Sequence, residues 1–216
     1  MSDAATLGTD RAVSRGQFLR NAAKGGLVLA ASGGVLASAQ GIAFAAGPSS
    51  SDITTLQAAY TAESLAVYLY EAIVRDFHSF RHPHLRNRDY FEAALRNERD
   101  HKAFLASALG SRTPTGLTFK IPAAAVASGQ ALLDTGVALE TAFVAAYLGA
   151  VETFSSTDLK LVAAKVAANE ATHFSFLDAA AGRGPRANLG GHGVLPSLPQ
   201  TATIPATVQK LKPFLG

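Results

Sequence analysis

Cysteine and tryptophan are absent from this chain, methionine occurs once, and charged residues make up only 16% of it. Without cysteine there is no disulfide framework, no thiolate metal site and no cysteine nucleophile. Any metal held by side chains must rest on carboxylate and imidazole, which suit iron, manganese or zinc. An excess of one charge sign is also missing where it would matter. The formal net charge is +3. Residues 1–46 carry four Lys/Arg against two acids, and the remainder carries 15 basic and 14 acidic residues. A near-neutral body lacks the basic face that a nucleic acid requires, so no nucleic-acid partner is expected. What the chain has in quantity is apolar surface, 48% of 216 residues. That is enough for one domain with a sizeable core.

The N-terminus reads as a targeting segment, outside the fold. Arg11, Arg15, Arg20 and Lys24 precede an uncharged run from Gly25 to Ala46. The run ends in Ala43-Phe44-Ala45, a small-residue cleavage pattern, which makes residues 1–45 an export signal and Ala46 the first mature residue. Ser14-Arg15-Gly16-Gln17-Phe18-Leu19-Arg20 resembles a twin-arginine export signal, with Gly16 where the second arginine belongs. Such a route implies an export machinery that carries folded, metal-loaded proteins. Ordinary secretion, or an uncleaved anchor 22 uncharged residues long, stays open beside it. The expected location is periplasmic or otherwise extracytoplasmic.

Four amphipathic stretches follow, each with apolar residues spaced by three and four. They run from Ser51 to Phe80, Arg88 to Leu109, Ser128 to Phe154 and Thr157 to Ala181. Asp52 is the expected cap of the first, and Gly110 and Gly182 are stops for the second and fourth. A turn around His82-Pro83-His84 joins the first two helices, and only Ser155 and Ser156 join the last two. Short links make antiparallel neighbours. About 18 residues, Gly110 to Ala127, separate the two hairpins, long enough in extended form to cross a bundle. Phe119, Ile121 and Val126 could cover its open edge. The expected fold is all-α: a four-helix bundle over residues 46–183, two antiparallel hairpins joined by a long crossover. Residues 184–216 read as a Gly/Pro-rich tail with no helix.

Two short patterns repeat in this frame: Asn97-Glu98-Arg99-Asp100-His101 and Asn169-Glu170-Ala171-Thr172-His173. Residues three apart share a helix face, so each Glu-x-x-His pair can address one metal ion. Glu63 and Glu140 each interrupt the apolar stripe of another helix. Two such pairs and two single glutamates form the ligand set of a di-iron or di-manganese four-helix bundle. With seven Glu and six His in the chain, chance supplies about 0.2 such pairs. Four buried carboxylates repel one another unless protons or cations compensate, and two divalent cations balance four of them. On this reading the metal residues are Glu63, Glu98, His101, Glu140, Glu170 and His173. Glu98 and Glu170 bridge, Glu63 and Glu140 are terminal, and His101 and His173 each cap one metal. The competing reading is six satisfied polar residues on partly exposed faces. Glu71, about 80° round the helix from Glu63, and Glu152, about 120° from Glu140, read as rim or surface. His78, His82 and His84 read as a solvated loop cluster, and His192 carries no signal. Tyr60 and Tyr147, near single glutamates on their helices, read first as core packing, with hydrogen bonding to the site or a redox-relay role as the alternatives.

The chain resembles the ferritin-like superfamily, and within it the exported ferritin-like domain family that includes desiccation-associated proteins. Three segments carry the likeness: Asn97 to Ala108, Ala131 to Ala150 and Asn169 to Leu177. Ala62-Glu63-Ser64-Leu65 adds a weaker fourth. The resemblance spans about residues 52–182 and implies a metal-binding bundle. Two iron or two manganese ions are the expected cofactors, with zinc competing on affinity. Metal ions and small oxidants are the expected partners, and a homo-oligomer is left open. The expected function is an exported di-metal oxidoreductase acting on peroxide, O2 or Fe2+ in stress protection. The alternatives are metal binding without turnover, in a stress-protective envelope protein, and a structural bundle without metal.

Overall fold

The computed structural model describes residues 48–75, 77, 88–183 and 199–216. The export-signal reading of residues 1–45, the loop histidines His78, His82 and His84, and His192 lie outside them. The elements are α1 (Ser50–Arg75), α2 (Arg88–Leu109), α3 (Gly129–Thr153), α4 (Thr157–Asp178) and a short α5 (Ile204–Lys210). Among the described residues there is no strand, and the all-α expectation holds.

The helix starts follow from their caps. Ser49, not Asp52, opens α1. The Ser49 hydroxyl accepts from the Asp52 amide at 3.1 Å, and the Asp52 carboxylate accepts from the Ser49 amide at 3.3 Å. This is a capping box with aspartate in the third helical position. The buried Asp52 also accepts from the Ser155 amide at 2.9 Å and from the Ser155 hydroxyl. It therefore ties the start of α1 to the α3–α4 link. Burial opposes its charge, but the hydrogen bonds from Ser155 and Ser49 outweigh that and hold its pKa below the usual carboxylate value. Ser128 caps α3 through the Ala131 amide at 3.1 Å, and Ser156 caps α4 through the Leu159 amide at 3.4 Å. Gly110 (φ 56°) and Gly182 (φ 82°) take the left-handed conformation where α2 and the π-helical extension of α4 end.

α1 packs along α2 and α3 along α4, the two hairpins expected from the link lengths. The crossover carries two short 3-10 turns, Gly110–Arg112 and Ala123–Val126. Its Phe119, Ile121 and Val126 pack against the core edge, as expected. By length and composition α3 could cross a membrane, at mean hydropathy 1.4, but half of that apolar window is buried within the bundle.

The tail corrects the sequence reading: a helix does follow residue 182. Thr203 caps α5 by accepting from the Ala206 amide at 3.2 Å, and Pro205 sits in the first turn. α5 packs on α1 and α3 and buries Ile204, Thr207 and, just beyond it, Leu211. The chain end then pairs with the crossover. The Lys120 amide donates to the Phe214 carbonyl and the Gly216 amide to the Thr118 carbonyl, both at 2.9 Å. On the way the tail crosses α3 so closely that a Cβ at Gly149 would lie 2.0 Å from the Ala202 carbonyl oxygen. The Ala202 amide also donates to the Ala145 carbonyl at 2.9 Å. Gly149→Ala is therefore expected to lift this strap. Overpacking should lower stability by about 1–3 kcal/mol, and hydrogen exchange at Ala202 should quicken while exchange in mid-α2 stays slow. Unchanged exchange at Ala202 would show that the strap is not held by this contact.

The core falls into two apolar halves. One holds Leu65, Tyr70, Phe91, Leu133, Phe143 and Leu177. The other holds Leu56, Leu105, Tyr147, Leu159, Val162 and Val166. Along α1, α2 and α4 the residues Glu63, Glu98, His101, Glu170 and His173 fall between the two, and Glu140 of α3 lies next to them, so a polar band crosses the middle of the bundle.

Candidate metal centre

All six residues of that band are buried, with Glu63, Glu98 and Glu170 at 0% exposure. Each comes from the middle of a long helix, α1 and α3 giving one glutamate apiece and α2 and α4 one Glu-x-x-His pair apiece. The structure brings all six together. Glu63, Glu98, His101 and Glu170 have donor atoms within 4.8 Å of one another, and so do Glu98, Glu140, Glu170 and His173. Glu98 and Glu170 belong to both sets. The predicted arrangement of two shared carboxylates, two single carboxylates and one imidazole per half is thus present as geometry.

The distances show how closely the groups face each other. His101 Nδ1 lies 3.0 Å from Glu170 Oε1 and 3.5 Å from both Glu63 Oε2 and Glu98 Oε2. His173 Nδ1 lies 2.8 Å from Glu98 Oε1, 3.2 Å from Glu170 Oε2 and 3.8 Å from Glu140 Oε1. Despite that proximity, Glu63 Oε2, both Glu98 oxygens, Glu140 Oε2, Glu170 Oε1 and His101 Nδ1 make no hydrogen bond of proper geometry. Buried oxygens left this way cost free energy unless something else satisfies them. One clustered set of orphaned buried donor atoms, falling into two overlapping groups, fits cations. Carboxylate oxygen and imidazole nitrogen are the donors iron and manganese take.

Electrostatics describe the same cluster without metal. Burial pushes the Glu63 and Glu140 carboxyls well above the usual range, and the neighbouring carboxylates add to it, against the pull of His101 and His173. Burial also opposes charge on the other four groups, but there it loses. Glu63 and Glu170 hold the His101 imidazole well above 6.5, and Glu170 and Glu98 do the same for His173. The two imidazoles in turn keep Glu98 and Glu170 below the ordinary carboxylate value. Without metal, the surroundings thus favour protons on Glu63 and Glu140 and on the two imidazoles, and favour the charged form of Glu98 and Glu170.

Two tyrosines complete the band, and the sequence reading identified only one. The Tyr147 hydroxyl donates to Glu63 Oε1, and the Tyr70 hydroxyl donates to Glu140 Oε1 at 2.5 Å. The bonds cross over: the tyrosine of α3 serves the glutamate of α1, and the tyrosine of α1 serves that of α3. Tyr60 takes no part, and Lys102 Nζ sits 5.5 Å over its ring. A signal was available in the equal spacing Glu63-x6-Tyr70 and Glu140-x6-Tyr147. Residues seven apart lie on one helix face, so each tyrosine shares the inward face of its glutamate. The Asn97 side-chain amide lies 3.3 Å from His173 Nε2, on the side of the ring that faces away from the glutamates. Its counterpart Asn169 has a buried Oδ1 with no partner. Glu71 is exposed and pairs with Arg99 at 2.8 Å, and Glu152 is exposed; neither enters the site.

The fold and donor set define the class: ferritin-like helical bundles with a carboxylate- and histidine-lined centre. A family model of the ferritin-like domain matches residues 51–183, and the chain belongs to that family. No curated protein matches it.

Proposed function

We propose that this bundle binds two divalent ions, iron or manganese, and uses them on dioxygen, peroxide or ferrous ion as an exported stress-protective protein. One observation carries the reading: two four-donor sets that share Glu98 and Glu170. Glu63 and His101 would complete one half, and Glu140 and His173 the other. Two such ions, when bound, supply a pair of one-electron redox centres able to act together on one small oxidant. The chain's own groups do the rest. Tyr147 and Tyr70 hold one oxygen of Glu63 and of Glu140 and leave the second free. The apolar halves on either side keep bulk water from the band. Export and the stress role are supported by the signal-like N-terminal sequence and by the likeness of Asn97 to Ala108 and Asn169 to Leu177 to exported relatives.

The test is elemental analysis of the chain from residue 46 onward, purified without chelator, followed by cycling with O2 and peroxide. About two iron or manganese ions per chain, changing oxidation state with either oxidant, is the expected result. Glu152→Ala should leave the metal content unchanged. Bound metal that does not cycle would favour sequestration. No metal after reconstitution with either ion would overturn the metal reading.

A further inference from the structure

The two halves flanking the polar band are not equivalent. Around His173 aromatic rings gather: Tyr70 and Tyr90 lie 5.9 and 6.4 Å from the imidazole, and Tyr90 stacks on Phe176 at 3.4 Å. Around His101 the corresponding half uses smaller side chains, including Ala59, Ala163, Val162 and Val166. A cavity remains there. Its walls include Leu56, Phe104, Leu159, Val162 and Val166, and His101 and Tyr147 are the only lining residues with polar side chains. The volume open to the centre of a water-sized molecule is about 10 Å³, roughly what one small molecule needs.

A water placed there would lack the two to four polar partners that hold buried water. Tyr147 already gives its proton to Glu63. Hydrogen peroxide would face the same lack, since both of its hydroxyls leave hydrogen bonds behind on entry. A hydrated metal ion would meet no carboxylate in these walls. A small apolar molecule loses nothing on entering and gains contacts on all sides.

We propose that this cavity is a binding site for dioxygen, delivering it to the Glu63–His101 half of the centre. The proposal rests on the metal reading for its consequence, but the site itself can be tested without metal.

Dissolved dioxygen is paramagnetic and speeds the relaxation of nearby methyl protons. In the metal-free chain with labelled methyl groups, saturation with O2 instead of N2 should relax Leu56, Leu159, Val162 and Val166 severalfold faster than Leu133 and Leu177 in the other half. Ala163→Leu should fill the cavity and abolish the difference; Ala59→Val serves if that variant misfolds. In the ferrous-loaded protein, two Fe2+ ions lose one electron each, and O2 takes both with two protons to leave as hydrogen peroxide. The filled variant should slow this oxidation severalfold while oxidation by added peroxide keeps its rate. Equal relaxation in both halves would overturn the site. A relaxation difference with unchanged oxidation by O2 in the variant would overturn the delivery role. A relaxation difference in a protein that binds no metal would overturn delivery together with the metal reading and leave a gas-binding cavity.

Discussion

Glu98→Ala is expected to take the metal content from about two ions per chain to almost none, and Glu170→Ala to do the same. Each of these carboxylates belongs to both donor sets, so its loss removes a ligand from each half. Glu63→Ala and Glu140→Ala each touch one set only and should leave about one ion bound. The contrast between shared and single positions is the informative part, because a merely destabilised bundle would lose metal whichever glutamate was changed. A second readout follows from linkage. Metal at a hundred times its Kd stabilises by about 2.7 kcal/mol per site. For a chain of this size about 1 kcal/mol corresponds to roughly 2–4 °C in Tm. Two sites should therefore raise the Tm by roughly 10–20 °C, and the Glu98 and Glu170 variants should show no such rise. Loss of one ion, not two, from Glu98→Ala would show that it does not bridge.

How much of this was legible in the sequence differs by kind of feature. The four long helices were, because apolar spacing persists over more than twenty residues in each and because Gly110 and Gly182 mark ends; the first helix, read to Phe80, is described to Arg75, and its expected end lies outside the described residues. The six band residues were legible for a related reason: each interrupts an apolar stripe, and a polar residue at an inward position demands a shared explanation. α5 was passed over since seven residues give too short a period to stand out. Its start was nonetheless written as Thr203 before Ile204-Pro205, a capping residue followed by first-turn proline. Capping by Ser49 instead of Asp52 is a matter of three residues, and it turns on Asp52 reaching Ser155, 103 positions away. The crossed tyrosine bonds have the same character. The equal Glu-x6-Tyr spacing says that both tyrosines point inward, but which glutamate each one meets depends on how the hairpins face each other. No local pattern encodes that.

The charge balance of the band yields the second large effect, an opposite pH response with and without metal. Without metal, Glu63 and Glu140 have pKa values raised above 4.5, and His101 and His173 above 6.5. A group whose pKa is higher folded than unfolded binds more protons in the folded state between the two values, so stability falls there as pH rises. The metal-free protein should therefore lose stability from the carboxylate range upward, more steeply once pH passes 6.5. Glu98 and Glu170, with lowered values, act only in acid, where stability falls as pH drops below 4.5. Metal reverses the trend on the alkaline side. The ligands must shed their protons to bind, and His101, His173, Glu63 and Glu140 are the groups whose raised pKa values favour holding them. Loading two divalent ions near neutral pH should therefore release protons. Calorimetry in buffers of different ionisation enthalpy reads the release, and Tm against pH for the metal-free and loaded forms reads the reversal. Glu63→Gln should lower the release, since its amide holds no exchangeable acid proton. Release of no protons, or a metal-free Tm that climbs from pH 6.5 to 9, would mean that the metal-free band is not held together by shared protons. Protons favoured on Glu63 and Glu140, and the facing of Glu98 and Glu170 by two imidazoles, offset the repulsion among four carboxylates in an apolar core, a role that cations take over on binding.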